Sequence, residues 1–473
     1  MSTKTRNKTI MEIIIYFSWR TDFSQLIVKI MYHIKIYLHI QEGVMAGIKN
    51  NKIFGIDYRW FLVYMMLLGS IVNYLDRANM SIANTTISSE FNLNTIQMGL
   101  MLSAFMWPYA IANLPAGWFI DRFGINKIFI FGIILWSLAT IGGGLAVGFA
   151  TLYLSRMVLG IAEAPFFIIG GKITQKYFDE KERGIAASVI NLGPKIAQGF
   201  APPLLTLMLI YLGWRWMFIS LGLVGFLVAL LWMKFYRKED DRAELQETAR
   251  QRERAHSKNI SCWKLFNHQS SWFFNIGNVS SSYIFWFYFT WLPTYLIQGK
   301  HVSLANTAWL TAIPFIAGIL AVPAGGWISD KLIKRGMDVI KARLIPTVGG
   351  CFISGLAVLP VNYIDSTFIA MVLVSISFFA IAMRVGVLWA LVGDITPKEA
   401  VGTFGGIQNF ANFIGGTLAP IGTGYILAIS GGNYNFVFIV CGILAIISAV
   451  SYGLIRKPIL SSEILKFNLK RSH

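Results

Sequence analysis

Stretches of about twenty apolar residues recur along the chain, separated by short polar segments. Each stretch can cross a hydrocarbon core of about 30 Å as a helix, which satisfies its own backbone hydrogen bonds in lipid. The pattern predicts about twelve spans, near residues 60–80, 97–119, 127–148, 152–175, 185–211, 216–236, 271–298, 304–328, 344–361, 367–393, 401–428 and 434–455. We therefore expect an all-α polytopic membrane protein.

Composition agrees with this pattern, because 55% of the 473 residues are hydrophobic and only 14% are charged. The net charge of +18 does not indicate a nucleic-acid partner, since the basic residues lie in alternate loops. Arg215 and Lys300 are the exceptions. Basic loops stay in the cytoplasm, so we expect both termini there and the chain in the cell membrane.

A charged segment, residues 237–268, divides the spans into two sets of six. We predict an N-terminal six-helix bundle (59–236), this cytoplasmic linker, a C-terminal bundle (269–456), and cytoplasmic tails at 1–58 and 457–473. Residues 1–44 fit neither a signal peptide nor a spanning helix. We expect that the native chain begins at Met45 or that this stretch is a disordered tail, and an interfacial amphipathic helix is the alternative.

One loop pattern occurs in both halves, which supports two related bundles. The first copy contains Gly117, Asp121 and Arg122, and the second contains Gly326 and Asp330. This pattern resembles the loop signature of the major facilitator superfamily. The resemblance implies twelve helices in two pseudo-symmetric bundles and a gating role for the loop, in which the glycine allows close helix approach. The alternative is a positive cluster that only sets topology.

Four charged residues are predicted inside the membrane in the N-terminal half: Asp76, Arg77, Arg156 and Glu163. Charges there are costly, so they indicate a functional site. Arg156 and Glu163 are seven residues apart and share a helix face, whereas the adjacent Asp76 and Arg77 diverge by about 100°. The alternative is two salt bridges that join helices.

These residue types suit coupled transport. The arginines can bind a small organic anion, while Asp76 and Glu163 can accept and release protons. The six histidines lie outside the predicted spans, so proton transfer within the membrane must use carboxylates. Linkage then makes the anion and the proton favour each other's binding.

Further polar residues are predicted in the remaining spans. Asn275, Asn278 and Ser282 form one stripe on the seventh span, which can face a cavity or hydrogen bond to neighbouring helices. Lys195 and Arg384 add two cations within spans. They can bind a dicarboxylate or phosphorylated anion, extend to the interface, or pair locally.

Several stretches resemble a narrower group, the anion:cation symporter family of organic-anion carriers: NYLDRAN, SAFMWPYAIANLPAGW, SRMVLGIAEAP, FTWLPTYL and GTFGGIQNFANFIGGTLAP. The resemblance covers about residues 59–457. It implies that Asp76, Arg77, Arg156 and Glu163 couple protons and bind the anion, with these further residues lining the site: Tyr74, Tyr109, Trp389 and Asn409. Pro194, Gly386 and Leu388 depart from the polar side chains of galactonate-type carriers.

The leading hypothesis is proton-coupled symport of an organic anion into the cell by alternating access, with a sugar acid such as a hexonate, hexarate or hexuronate favoured. Aromatic or dicarboxylic acids, organic-phosphate antiport and a non-transporting membrane sensor are the alternatives. An enzyme is not expected, because the sequence has no Walker-type loop and no metal-spaced cysteines among Cys262, Cys351 and Cys441. No cofactor or metal is predicted, and a functional monomer is expected.

Overall fold

The computed structural model describes residues 52–53, 55–237, 265–266, 268–397, 400–455 and 459. The prediction for residues 1–44 lies outside these residues, as do most of the predicted linker and C-terminal tail. Residues 1–61 and 62–473 form two units. Within the first, the described residues include a short antiparallel pair, β1 (Lys52–Ile53) and β2 (Ile56–Asp57), and an ion pair between Arg59 Nε and Asp57 Oδ2 of 3.1 Å.

Helices make up most of the described chain. They are α1 (Tyr58–Glu90), α2 (Thr95–Ser103), α3 (Met106–Phe123), α4 (Ile125–Gly144), α5 (Phe149–Glu163), α6 (Phe166–Tyr177), α7 (Glu180–Phe235), α8 (Gln269–Thr294), α9 (Leu304–Lys334), α10 (Val339–Val358), α11 (Thr367–Ile395), α12 (Val401–Ile429) and α13 (Tyr434–Gly453). A π-helical turn (Tyr295–Gly299) extends α8, and a 3₁₀ turn (Val361–Tyr363) follows α10.

These helices provide the twelve spans that the sequence predicts. The pairs α2–α3 and α5–α6 each form one interrupted span, whereas α7 contains two spans separated at Gly213, whose φ of +77° breaks the helix. Among the described residues, eight helices are long and apolar enough to cross a membrane. Helices α1 and α8 are not among them, because both carry many polar residues within their spans.

The spans form two six-helix bundles. In the N-terminal bundle α4 packs on α5 and α7, and in the C-terminal bundle α11 packs on α9 and α10. The bundles meet where α12 packs along α2 and where α9 packs along α7. This architecture confirms the predicted fold class. The domain boundaries themselves stay a prediction.

The two bundles make close contact on one side of the molecule. We call the side at which α7 ends and α8 begins the linker side, and the other the opposite side. Near the opposite ends of α1 and α8, Ser81 Oγ donates to Thr290 O (2.8 Å) and Asn84 Nδ2 donates to Thr294 Oγ1 (2.6 Å). Between α2 and α12, Gly99 lies against the backbone of Pro420. The seam is therefore closed on the opposite side.

Substituting Gly99 with valine tests this closure. A Cβ atom at Gly99 would lie 2.5 Å from Pro420 O, and the backbone there cannot move aside cheaply. We expect a loss of about 1–3 kcal/mol of stability in this conformation, measured as a lower unfolding temperature. The control is Gly117→Ala, since no atom lies within 4 Å of its Cβ position. Equal unfolding temperatures would contradict the close approach of α2 and α12.

Candidate functional site

An ion pair between α1 and α5 lies at the centre of the N-terminal bundle. Arg77 Nε donates to Glu163 Oε2 at 3.0 Å, and both side chains are almost completely buried. Glu163 is the last residue of α5, immediately before the break that separates α5 from α6. Because both charges are buried away from water, each depends on the other for its stabilisation.

Three aromatic rings surround the Arg77 guanidinium group. Its central carbon lies 4.8 Å from the ring centre of Tyr74 and 4.6 Å from those of Phe105 and Tyr109. Tyr109 also packs on Phe413 of α12, with ring centres 4.6 Å apart. The predicted site residues Tyr74 and Tyr109 therefore contact Arg77, and Tyr109 joins the site to the C-terminal bundle. Cation–π contacts hold the guanidinium in one orientation.

Arg156 of α5 binds α1 one turn from this pair. Its Nη1 donates to the backbone oxygen of Asp76 at 2.8 Å, and its Nη2 donates to Asn79 Oδ1. The Asp76 carboxyl group lies close to Arg156, Glu163 and the Thr140 side chain, and it forms no ion pair with an arginine among the described residues. Asp76 is thus a fully buried acid without the arginine ion pair that Glu163 makes.

Both arginines reach a small cavity at the seam between the two bundles. Arg77 and Arg156 line this cavity together with Phe289 and Thr290 of α8. Its volume is about 20 Å³, room for little more than one water molecule. Of the four charged residues, the two arginines line this cavity and the two acids do not.

Asn278 is engaged by protein groups. Its Nδ2 donates to Gln408 O at 2.7 Å, and its Oδ1 accepts a hydrogen bond from Arg384 Nη1 at 3.2 Å. Ser282 Oγ donates to Asn412 Oδ1 at 2.8 Å. Asn278 and Ser282 of the predicted polar stripe therefore make hydrogen bonds between helices in this conformation, which was one of the two alternatives, whereas Asn275 Nδ2 donates to Ser271 O of its own helix at 2.8 Å.

Trp389 and Asn409 lie apart from the arginines. Trp389 is 59% exposed near the linker end of α11, and Gly405 of α12 packs against its ring. Asn409 on α12 is half-buried. The structure does not bring either residue to the Arg77–Glu163 pair.

The predicted gating residues form contacts within their own bundles. Asp121 pairs with Lys172 at the linker end of α6. Asp330 Oδ1 pairs with Arg343 Nη1 at 2.7 Å. The guanidinium carbon of Arg122 lies 5.2 Å from the ring centre of Trp118.

The expectation that Gly117 and Gly326 allow close helix approach is wrong here. Nothing lies within 4 Å of a Cβ atom at either position, and it is the neighbouring Gly325 that packs against the backbone of Met383. A glycine's contacts depend on how its helix is rotated about its axis, and the repeated sequence motif does not predict this rotation. Whether the loop gates transport stays a prediction.

Lys195 and Arg384 approach each other across the seam. Lys195 on α7 lies with its Nζ atom 5.8 Å from the ring centre of Phe285 on α8. Arg384 on α11 is 4% exposed, and it is close enough to Lys195 for their charges to repel. Neither residue has an acidic partner among the described residues.

Sequence reasoning missed several residues that complete the site. Asn79 accepts a hydrogen bond from Arg156, Phe105 covers Arg77, and Asn84 bonds to Thr294 across the seam. The available signal was the repeated asparagine in α1, since a polar side chain inside a membrane helix requires a partner. No group of three or more His, Cys, Asp or Glu side chains in the described part of the chain could hold a metal ion.

The fold and the buried charged site define a membrane carrier rather than an enzyme. Residues 66–420 match the family profile of the Major Facilitator Superfamily. The chain belongs to this superfamily, as the loop signature predicts.

Relatives with assigned transport roles extend this comparison. The chain is 30% identical over 413 residues to the D-galactonate transporter of Escherichia coli O6:H1, an alignment that covers 84% of this chain and 95% of that one. It is 30% identical over 425 residues to a probable galactarate/D-glucarate transporter of Bacillus subtilis, covering 85% and 92%.

A solved structure shares the fold. It is a bacterial homolog of the human lysosomal transporter Spinster in an inward-facing and unoccupied conformation, with a TM-score of 0.70. The two chains are 19% identical, and the match covers 86% of this chain and 98% of the other. This likeness supports the fold.

Proposed function

We propose that this protein carries an organic anion, a sugar acid, across the cell membrane together with protons. The observation that carries the proposal is the buried Arg77–Glu163 ion pair, beside a second arginine and a second carboxylate, at a seam between two bundles. Membrane proteins rarely bury such a set without a role in moving ions or substrates. Relatives named as D-galactonate and galactarate/D-glucarate transporters support a sugar acid.

Exchange of partners at Arg77 provides the coupling. In this conformation the guanidinium is paired with Glu163, so an arriving substrate carboxylate competes for the same N–H groups. A buried carboxylate that loses its guanidinium partner takes up a proton more readily. Anion binding and protonation then favour each other, and the same coupling operates in reverse on release.

Asp76 is the second proton site in this scheme. Its carboxyl group lies close to Arg156, Glu163 and Thr140 but forms no ion pair with an arginine among the described residues. The neutral form costs less to bury than the charged form, so Asp76 can hold a proton while Glu163 is paired. The two acids thus exchange protons in different surroundings, Glu163 beside Arg77 and Asp76 close to Arg156.

Rocking of the two bundles would expose this site to each side in turn. The seam is closed on the opposite side by the α1–α8 and α2–α12 contacts. Basic loops on the linker side support a cytoplasmic linker, so we assign this conformation to the state that faces inward. We propose uptake by a monomer; one proton per monoanion would cancel its charge, and a second proton would make uptake electrogenic.

The test is flux into proteoliposomes that contain the purified full-length chain. With D-galactonate or D-glucarate outside and an inward pH gradient, we expect accumulation that collapses when an uncoupler removes the gradient. Binding without flux would favour the sensor alternative. Flux that ignores the pH gradient would show a uniporter and overturn the coupling.

A further inference from the structure

We propose that Lys195 and Arg384 form a second anion subsite and that the substrate is a dianion, with one acidic group bound at Arg77 and Arg156 and the other at Lys195 and Arg384. This inference rests on the proposed function and names the substrate class of the same site.

The two pairs of cations differ in the acidic residues that surround them. Glu163 pairs with Arg77, and the Asp76 carboxyl group lies close to Arg156 within the N-terminal bundle, whereas Lys195 and Arg384 have no such acids among the described residues. The sequence contains no Asp or Glu between Gln269 and Ser329, between Leu344 and Ile364, from Ser366 to Gly393, or from Ala400 to Ile455. The spans of the C-terminal half therefore supply no compensating charge.

The hydrogen-bond partners of the Arg384 guanidinium are neutral side chains. Its Nη1 and Nη2 donate to Asn278 Oδ1 (3.2 Å) and Ser282 Oγ (3.3 Å), both neutral acceptors, while its buried Nε has no hydrogen-bond partner. An arginine in a low-dielectric interior normally meets a carboxylate or phosphate, because neutral acceptors do not replace its hydration. The guanidinium of Arg384 is thus oriented by α8 and has no acidic partner among the described residues.

Lys195 supplies the cation from the other bundle. No hydrogen bond or ion pair to Lys195 occurs in the part of the chain that the structure describes, and its Nζ lies 5.8 Å from the ring centre of Phe285. Arg384 donates to Ser282, three residues before Phe285 on the same helix, so the two cations lie near each other, and an anion between them would stabilise both. Because α7 and α11 belong to different bundles, such an anion would bridge the seam.

A wall of aromatic rings connects the two cationic sites. Arg77 packs on Tyr74, whose ring centre lies 6.4 Å from that of Phe289. Trp286 joins Phe289 to Phe285, with ring centres 5.3 and 5.6 Å away. Phe285 and Phe289 are one helical turn, about 6 Å, apart along α8. The two sites therefore lie on the same wall at neighbouring depths, as a compact molecule with two acidic groups requires.

Three probes with the same six-carbon skeleton test the inference by titration of the purified protein: D-gluconate with one carboxylate, D-glucarate with two, and 6-phosphogluconate with a carboxylate and a phosphate. We expect one of the two doubly acidic probes to bind at least about tenfold more tightly than gluconate. The probe that wins identifies the second group as carboxylate or phosphate.

Variants locate the preference. Lys195→Gln and Arg384→Gln should each reduce the ratio of affinities towards one, while Lys195→Arg should keep it. Arg215→Gln is the control, because Arg215 lies at the opposite side in a half-exposed pair with Glu90 and should leave the ratio unchanged. Size-exclusion profiles report whether each variant folds. Even where a variant fails to fold, the wild-type ratio of affinities still tests whether the substrate is a dianion.

A wild-type ratio at or below one overturns the inference, as does a preference that survives both glutamine variants. If gluconate is nevertheless accumulated with protons, the proposed function stands and only the dianion is wrong. If none of the three probes binds or is accumulated, both proposals fall.

Discussion

Arg77→Ala should abolish transport and weaken anion binding by about 100-fold or more. Among the described residues, this guanidinium is the one cationic group that both pairs with Glu163 and lines the cavity at the seam. Alanine removes the planar donor set that a carboxylate needs and leaves Glu163 without its ion-pair partner in a buried position. Binding is measured by titration with D-galactonate, and transport by counterflow in proteoliposomes.

A matched control exists at the opposite side. Arg215 pairs with Glu90 and packs 4.3 Å from the ring centre of Trp214, so it has the same kinds of contact as Arg77. It differs in exposure, since about 40% of each side chain of that pair is exposed. We expect Arg215→Ala to keep transport, because solvent-exposed ion pairs contribute about 0–1 kcal/mol.

Arg77→Lys separates charge from geometry. Lysine keeps the positive charge but cannot stack flat between the rings of Tyr74, Phe105 and Tyr109. We expect partial binding and slow transport. Full transport by Arg77→Ala, with the variant correctly folded, would remove this residue from the site.

Glu163→Gln should keep anion binding and lose proton-driven accumulation. The glutamine oxygen can still accept a hydrogen bond from Arg77 Nε, but the side chain no longer exchanges a proton. Coupling through one proton supports about tenfold accumulation per unit of pH gradient, which is 1.4 kcal/mol. We expect this ratio to fall to about one, while exchange of labelled for unlabelled D-galactonate continues.

The control for this variant is Glu90→Gln, which changes the acid of the exposed pair in the same bundle. Accumulation should then match the wild-type protein. Normal accumulation by Glu163→Gln would contradict the division of labour between the guanidinium and the carboxylate, and would move proton coupling to Asp76 alone.

Much of the fold follows from the sequence because a lipid-spanning helix is specified locally. Backbone groups must bond within the segment, so about twenty apolar residues suffice to identify a span wherever it packs. The same reasoning singled out Asp76, Arg77, Arg156 and Glu163, since charges in such segments are costly. The ends were harder to predict, and α1 runs ten residues beyond its predicted end to Glu90.

Contacts between helices required the tertiary structure. Arg77 pairs with Glu163 on another helix, and Asp121 pairs with Lys172, although spacing along the chain indicates neither partner. The rotation and packing of helices set these distances, and residues far apart in sequence contribute to each.

The sequence by itself determined the class of the molecule, its spans and the identity of its buried charges, because those properties belong to single segments in a membrane. Only the tertiary structure decided that both arginines line the cavity at the seam, that the bundles close on the opposite side, and that Lys195 and Arg384 both lie against α8. Those relations depend on how separate helices pack, and packing depends on shape complementarity across the whole bundle.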